Sequence, residues 1–221
     1  MGNSMKKNYV IDDADRQSVK NQNNAWNKAR SDINSILAKD YEVTYFICGK
    51  SKIGKLLHYF QLIFEICFKS DRVVLQYPFY NTRFLNFLSK HWLPKKCIVV
   101  IHDLDSLRQE KEESEVQKEI RFLNKFQSII SHNERMTAWL KEKGCHSKIV
   151  NLELFDYLTG NKVQIKNKRD EAIAFAGNLS PNKSEFLYKF PDMPLKIHAY
   201  GNGHDSARSN NIEYMGSFPA E

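Results

Sequence analysis

Glycine and proline are sparse, nine and six in 221 residues, which excludes collagen-like and linker-like chains. Cys48, Cys67, Cys97 and Cys145 lie far apart in apolar or helical surroundings. There is no CxxC pair and no His–Cys cluster at zinc spacing, so no structural metal is expected. No apolar run is long enough to span a bilayer, because the longest, Leu56–Phe68, is interrupted by His58, Gln61 and Glu65. The first residues, MGNSMKKNYVIDDADR, are polar, and the cysteines read as reduced thiols of a cytoplasmic protein. Acidic residues are scarce in one region. Residues 51–100 hold eight Lys/Arg against two Asp/Glu, six of the seven net positive charges. Such a basic body attracts phosphates, nucleic acid or an acidic membrane surface without choosing among them. What the chain does have is 42% hydrophobic and 12% aromatic residues, too many for disorder.

Strand-like and helix-like segments alternate. Strands are expected at Asn8–Ile11, Val43–Cys48, Arg72–Gln76, Cys97–Ile101, Ser128–Ser131 and Ser147–Val150. Helices are expected at Ser18–Lys39, Lys55–Lys69, Arg83–Lys90, Glu110–Lys125 and Glu134–Lys143, the last stopped by Gly144. CIVVI at 97–101 is a continuous β-branched run, which implies burial on both faces. The spacing is that of βαβ units, hence a parallel sheet covered by helices. Residues 161–171 are polar and aperiodic and read as a linker between a domain at 1–160 and a second at 172–221. In the second, strands Ala172–Ala176, Leu195–Tyr200 and Ile212–Tyr214 surround a helix at Lys183–Phe190. About fifty residues are few for such a domain, whose usual size is roughly 100–150. The expectation is an incomplete unit exposing apolar positions around Phe186, Phe190 and Phe218, which favours association or instability.

Four constellations carry chemistry. Gly49–Lys55 fits GxxxxGK between a strand and a helix, but Leu56 stands where a magnesium-holding Ser or Thr belongs, so a basic rim loop is the reading. His102, Asp103, Asp105 and Arg108 follow CIVVI directly, and ligands of open α/β sheets bind beyond the carboxyl ends of the strands. His102 and Asp103 are candidates for acid–base work. Asp103 or Asp105 as a helix cap, with Arg108 paired to the acidic run behind it, is the structural alternative. Gln76 and Tyr77 end another strand, where an amide can bond hydroxyls and an aromatic face can stack on a sugar; core packing is the ordinary reading for Phe79 and Tyr80. In the second domain, Gly177, Asn178 and Lys183 combine backbone N–H groups with a cation, which suits a diphosphate. Tyr200 and Gly201 end the next strand in a glycine turn where a base or ribose fits, although a plain turn explains either glycine.

VVLQYPFY, CIVVIHDLDSLR, SIISHNERMTAWLKEKG, AFAGNLSPNK and HAYGNG…IEYMGSFPAE together resemble bacterial sugar transferases of the GT-B fold. Within them the chain is similar to β-1,6-galactofuranosyltransferase-like enzymes and to glucosyltransferases that extend GlcNAc on serine-rich adhesins. The resemblance runs from about Tyr9 to the end. It implies two Rossmann-like domains, acceptor on the first and nucleotide sugar on the second, the second continuing past Glu221 in the family. It implies no metal held by Asp103-x-Asp105 and no cofactor beyond a UDP-sugar donor substrate. By position, Gly177, Asn178 and Lys183 fall on the donor loop, and Tyr200 and Gly201 near the base. Asn24 and Lys28, in NNAWNKARSDI, fall on the first-helix motif, and His102 and Asp103 on the acceptor-side rim, with Gln76, Tyr77 and Arg108 beside them.

The activity so implied is transfer of a galactofuranosyl or glucosyl group from a UDP-sugar to a lipid- or protein-linked glycan in envelope polysaccharide or glycoprotein synthesis. The alternative is a non-catalytic module that binds a glycan or a partner transferase. A nucleic-acid partner is not expected, since no recognised DNA or RNA motif accompanies the basic body. Peripheral contact with the inner face of an anionic membrane is expected through Lys50, Lys52, Lys55, Lys69, Arg72, Lys90, Lys95 and Lys96, and a homo-oligomer remains open.

Overall fold

The computed structural model describes residues 7–12, 25–45, 52–79, 87, 90–91, 96–153, 158, 171–189, 195–204 and 212–217. The chain divides into two compact units, Met1–Leu158 and Thr159–Glu221. In unit 1, strands β1 (Lys7–Asp12), β2 (Glu42–Tyr45), β3 (Ser70–Tyr77), β4 (Cys97–Ile101), β5 (Ser128–Ser131) and β6 (Lys148–Asn151) form one parallel sheet in the order β2-β1-β3-β4-β5-β6. The chain runs outward from β1 to β2, then returns past β1 to β3. That reversal places a topological switch point between β1 and β3, the position where doubly wound sheets open a crevice at the strand carboxyl ends.

Helix α1 (Ala25–Leu37) connects β1 to β2, and α2 (Lys52–Phe64) connects β2 to β3. They lie on opposite faces because their right-handed crossovers run in opposite directions along the sheet. Val10, Val74 and Val100 pack with Ile33 of α1. Ile11, Val73, Leu75, Val99 and Ile101 point the other way and pack with Ile66, Ile120 and Leu140, joined by Tyr59 and Ile63 of α2. The central runs Val73–Leu75 of β3 and Cys97–Ile101 of β4 are thus apolar towards both faces, as β4's continuous β-branched sequence requires.

Two segments depart from their sequence-based expectation. The helix through Lys69 ends its α-helical part at Phe64 and finishes as a π-helical turn, Glu65–Lys69. Lys96 Nζ bonds the Cys67 and Ser70 carbonyls there at 3.0 Å each, so this lysine closes a turn. The charged stretch 110–125 begins earlier and is broken: a single turn α3 (Asp105–Arg108) precedes α4 (Glu113–Leu123), and Glu110 takes a left-handed φ of 48° between them. Helix α5 (Glu134–Glu142) is capped by Asn133, whose side chain accepts the Met136 N–H at 2.9 Å, and is followed by Gly144 at φ 93°. The expected helix Arg83–Lys90, apart from residues 87 and 90, lies outside the described residues, as does the linker 161–171 apart from Glu171.

Unit 2 has its own parallel sheet, β7 (Ala172–Asn178), β8 (Lys196–Asn202) and β9 (Ile212–Gly216), in the order β7-β8-β9. Leu179, Leu187 of the short helix α6 (Glu185–Tyr188), Ile197 and Ala199 form its core. Phe186 is 54% exposed, while Phe190 and Phe218 lie outside the described residues. Among the described residues no helix is long and apolar enough to cross a membrane.

Candidate functional site

Strands β3, β4 and β5 of unit 1 end side by side, so Gln76, His102 and His132 meet on one rim. Gln76 is 1% exposed. Its Nε2 donates to Asn34 Oδ1 at 2.6 Å and to the Arg30 carbonyl at 3.3 Å, both on α1. A carbonyl only accepts, so the amide orientation is fixed and Gln76 Oε1 is left to accept from His102 Nε2 at 2.7 Å. That bond selects the His102 tautomer with the proton on Nε2 and the lone pair on Nδ1. Burial, then the Arg30 charge, then His132 hold the His102 imidazole neutral, with its pKa pushed down to about 3. The His132 ring lies 5.7 Å away, centroid to centroid, and burial lowers its proton affinity too. Arg30 itself is 1% exposed, and its Nη2 donates to the Pro78 carbonyl.

The loop after β4 is braced from beneath by Glu119 of α4. Its buried carboxylate accepts the Asp105 N–H at 3.1 Å, the Ser106 N–H at 3.0 Å, the Ser106 hydroxyl and the Tyr77 hydroxyl. Glu119 therefore caps α3, a task sequence reasoning offered to Asp103 or Asp105. Asp103 Oδ1 accepts the Leu104 N–H at 3.1 Å. Arg108 does not reach the acidic run behind it; its Nε lies 3.3 Å from Asp103 Oδ2 and its Nη2 3.3 Å from Asp105 Oδ1. Burial is the largest influence on the Asp103 carboxyl, and its pKa is raised despite Arg108. The Tyr77 hydroxyl is likewise pushed up, by burial and by Glu119. Tyr77 is thus turned into a brace, its ring edge-on to Phe79 at 5.3 Å. Beside α4 a pocket of about 210 Å³ opens between Tyr77, Phe79, Phe122 and Lys111.

Lys28 is committed to a different task. Its Nζ lies 2.6 Å from both Asp32 carboxylate oxygens and 2.6 Å from the Leu158 carbonyl, while Asp32 Oδ2 accepts the Leu158 N–H at 2.9 Å. The pair clamps the backbone at the last residue of unit 1. Asn24 lies outside the described residues.

In unit 2 the parallel register sets Gly177 opposite Gly201 and Asn178 opposite Asn202. A Cβ on Gly201, at φ 142°, would sit 1.8 Å from the Gly177 carbonyl oxygen; one on Gly203 would sit 2.3 Å from Ser180 Oγ. These two glycines are required by the close approach of the loops after β7 and β8. Gly177 itself has room for a Cβ, with ordinary 3.6 Å contact to Phe175. Asn178 Oδ1 accepts the Ser180 N–H at 2.9 Å, and the Lys183 and Ser184 N–H groups return to the Ser180 carbonyl at 2.8 and 2.9 Å. Lys183 is exposed on this turn, and Tyr200 is half-buried one residue before Gly201.

Asn34, Arg30, His132 and Glu119 are site residues that sequence reasoning missed. Only His132 left a signal, an imidazole directly after the SIIS strand. Chemically the rim offers a neutral imidazole of fixed tautomer, a carboxylate of raised proton affinity and a guanidinium, a set suited to binding hydroxyls and accepting a proton from one. Among the described residues no three His, Cys, Asp or Glu side chains gather as a metal site.

The parallel doubly wound sheet makes unit 1 a Rossmann-like α/β domain. Residues 14–154 match the model of the glucosyltransferase 3-like N-terminal domain, and the chain belongs to that family. It is also similar to the β-1,6-galactofuranosyltransferase WbbI of Escherichia coli (strain K12), 31% identical over 203 residues, which cover 88% of this chain and 58% of that protein. The chain therefore spans less than two thirds of the length of this relative.

Proposed function

We propose that the protein belongs to a GT-B-type hexosyltransferase that moves a galactofuranosyl or glucosyl group from a UDP-sugar to a glycan acceptor, unit 1 taking the acceptor and unit 2 the nucleotide. The family match over residues 14–154, which contain the whole rim, carries the reading. In the reaction an acceptor hydroxyl oxygen bonds to the anomeric carbon, the bond from that carbon to the diphosphate oxygen breaks, and UDP leaves with the electron pair. The hydroxyl proton goes to the protein.

Asp103 is the better proton acceptor of the two rim candidates, because burial raises its basicity whereas burial lowers that of His102. His102, neutral and oriented by Gln76, takes the hydroxyl in a hydrogen bond at Nδ1 and sets its direction. Attack on the face opposite UDP inverts the anomeric centre. Arg108, already bonded to Asp103, steadies the carboxylate, and the Tyr77–Phe79–Phe122 pocket offers aromatic surface to the acceptor glycan. On unit 2, Lys183, beside Gly177 and Asn178, meets the negative charge gathering on the diphosphate, with Tyr200 and Gly201 towards the base.

Calorimetry with UDP tests the division of labour. A charge-assisted contact contributes about 1.5–3 kcal/mol, so Lys183→Ala is expected to weaken UDP about ten- to hundredfold. His102→Ala is expected to leave UDP affinity unchanged. Equal affinities for wild type and Lys183→Ala eliminate the donor assignment, and UDP binding without transfer to any glycan favours a binding module instead.

A further inference from the structure

Among the described side chains of helix α2 and its π-helical extension, Tyr59, Ile63 and Ile66 pack on the core beneath the sheet. The flank beside them is apolar and uncovered: Ile53 is 73% exposed and Phe68 70%, and Leu56, Leu57, Phe60 and Phe64 are all more than half exposed. Residues 53, 57, 60 and 64 recur at intervals of four, three and four, which puts them on one helical face. The Phe64 and Phe68 rings lie 5.2 Å apart, tilted by 39°, and the Lys69 ammonium lies 5.7 Å from the Phe64 ring. Exposed Lys69 and Arg72 follow the stripe, while Lys52 and Lys55 belong to its first turns. A solvated helix turns its polar face outward; this one presents an apolar stripe that runs into the exposed cations Lys69 and Arg72.

We propose that this face docks on an anionic lipid bilayer, with α2 lying along the interface, its leucines and phenylalanines in the acyl boundary and its cations among the headgroups. Charge complementarity selects the occupant. Two copies joined through this face would bring Lys69, Arg72 and their basic neighbours against themselves, whereas an anionic leaflet takes apolar stripe and cations together. Lys96, bonded to the carbonyls of the π-helical turn, is not part of this surface. Lipid docking is independent of sugar transfer, since vesicle binding requires no donor.

The test is cosedimentation of the full chain with vesicles of equimolar phosphatidylglycerol and phosphatidylcholine, against vesicles of phosphatidylcholine alone. Binding is expected to the anionic vesicles and to weaken as salt rises, screened beyond about 8 Å at physiological ionic strength. The triple variant Leu57→Ser, Phe60→Ser, Phe64→Ser is expected to lose at least about tenfold in vesicle affinity, because it withdraws many methylene equivalents from the bilayer. Its melting temperature and UDP affinity are expected to stay within error of wild type, since none of the three sites packs in the core. Lys69→Glu with Arg72→Glu is expected to weaken binding to anionic vesicles only. Wild-type vesicle binding by the triple variant overturns the proposal, as does equal binding to both vesicle types. A wild-type dimer that the triple variant dissolves, with no vesicle binding, assigns the face to a second copy instead.

Discussion

Helix α1 hides Arg30, Asp32 and Asn34 from water, while α2, the next helix along the chain, leaves Ile53, Leu57, Phe60 and Phe64 in it. Burial is expected to follow polarity; here each helix reverses the rule in its own direction. Burying a polar group without partners is costly, and α1 avoids that cost by supplying them. Asn34 bonds Gln76, Arg30 bonds the Pro78 carbonyl, and Asp32 holds Lys28 and Leu158. Those groups hold the strand ends where His102 and Asp103 stand. Helix α2 faces the opposite problem. Its apolar flank is left largely exposed, and it sits in the most basic part of the chain. A polar face turned inward marks a site being shaped, and an apolar face turned outward marks a surface awaiting contact.

The largest effect that separates the two helices is expected at Arg30. Arg30→Ala removes a buried cation and the donor to Pro78, and is expected to cost about 3 kcal/mol in denaturant unfolding, in the range of broken buried networks. Next comes the brace beneath the rim. Glu119→Gln keeps the shape but turns an amide donor towards Tyr77 or Ser106, and is expected to cost about 1.5–3 kcal/mol.

The His102 effect depends on pH. Its folded pKa of about 3 lies below the ordinary histidine value near 6.5. The unfolded chain therefore takes up the proton first, so the contribution is fully present above pH 6.5 and is lost as pH falls through that value towards 3. Each such group makes stability fall by about 1.4 kcal/mol per pH unit in that window. His132 acts in the same sense. His102→Asn is expected to reduce the slope between about pH 5.5 and 4 by about one proton, read from unfolding midpoints at each pH. The smallest effect belongs to α2. Phe60→Ser is expected to change unfolding by less than about 0.5 kcal/mol, as exposed substitutions do. A loss near that of Arg30→Ala would mean that the face of α2 is covered after all.

The order of strands and helices in unit 1 was legible because it is local. CIVVI fell on β4 to the residue, and SIIS on β5, since a β-branched run between polar turns has few other uses. The rim positions of Gln76, His102 and Asp103 followed from the same logic. The braces did not. Gln76 meets Asn34 across 42 residues, and Tyr77 meets Glu119 across another 42, distances at which no periodicity speaks. Glu119 stood in a stretch that showed only charge and helical spacing; its burial depends on four donors that only the fold assembles. Arg30 and Asp32 were hidden the same way, inside a helix whose composition is that of a surface. For α2 the sequence showed an apolar run too short to span a bilayer, but whether a further layer covers such a helix is a tertiary fact. In unit 2 the glycines pointed to a ligand loop, and the interlocked backbones of Gly201 and Gly203 supply a structural reason for both residues.

The most direct test is the rate of hexosyl transfer from UDP-galactofuranose and from UDP-glucose to a glycan acceptor, compared between wild type and Asp103→Asn. An asparagine keeps the size of the side chain and cannot take the proton, so transfer is expected to fall about 100- to 10 000-fold, the usual contribution of a general base. UDP affinity is expected to hold. Transfer by Asp103→Asn at the wild-type rate would contradict the account, because the rim of unit 1 would then not be where the acceptor loses its proton.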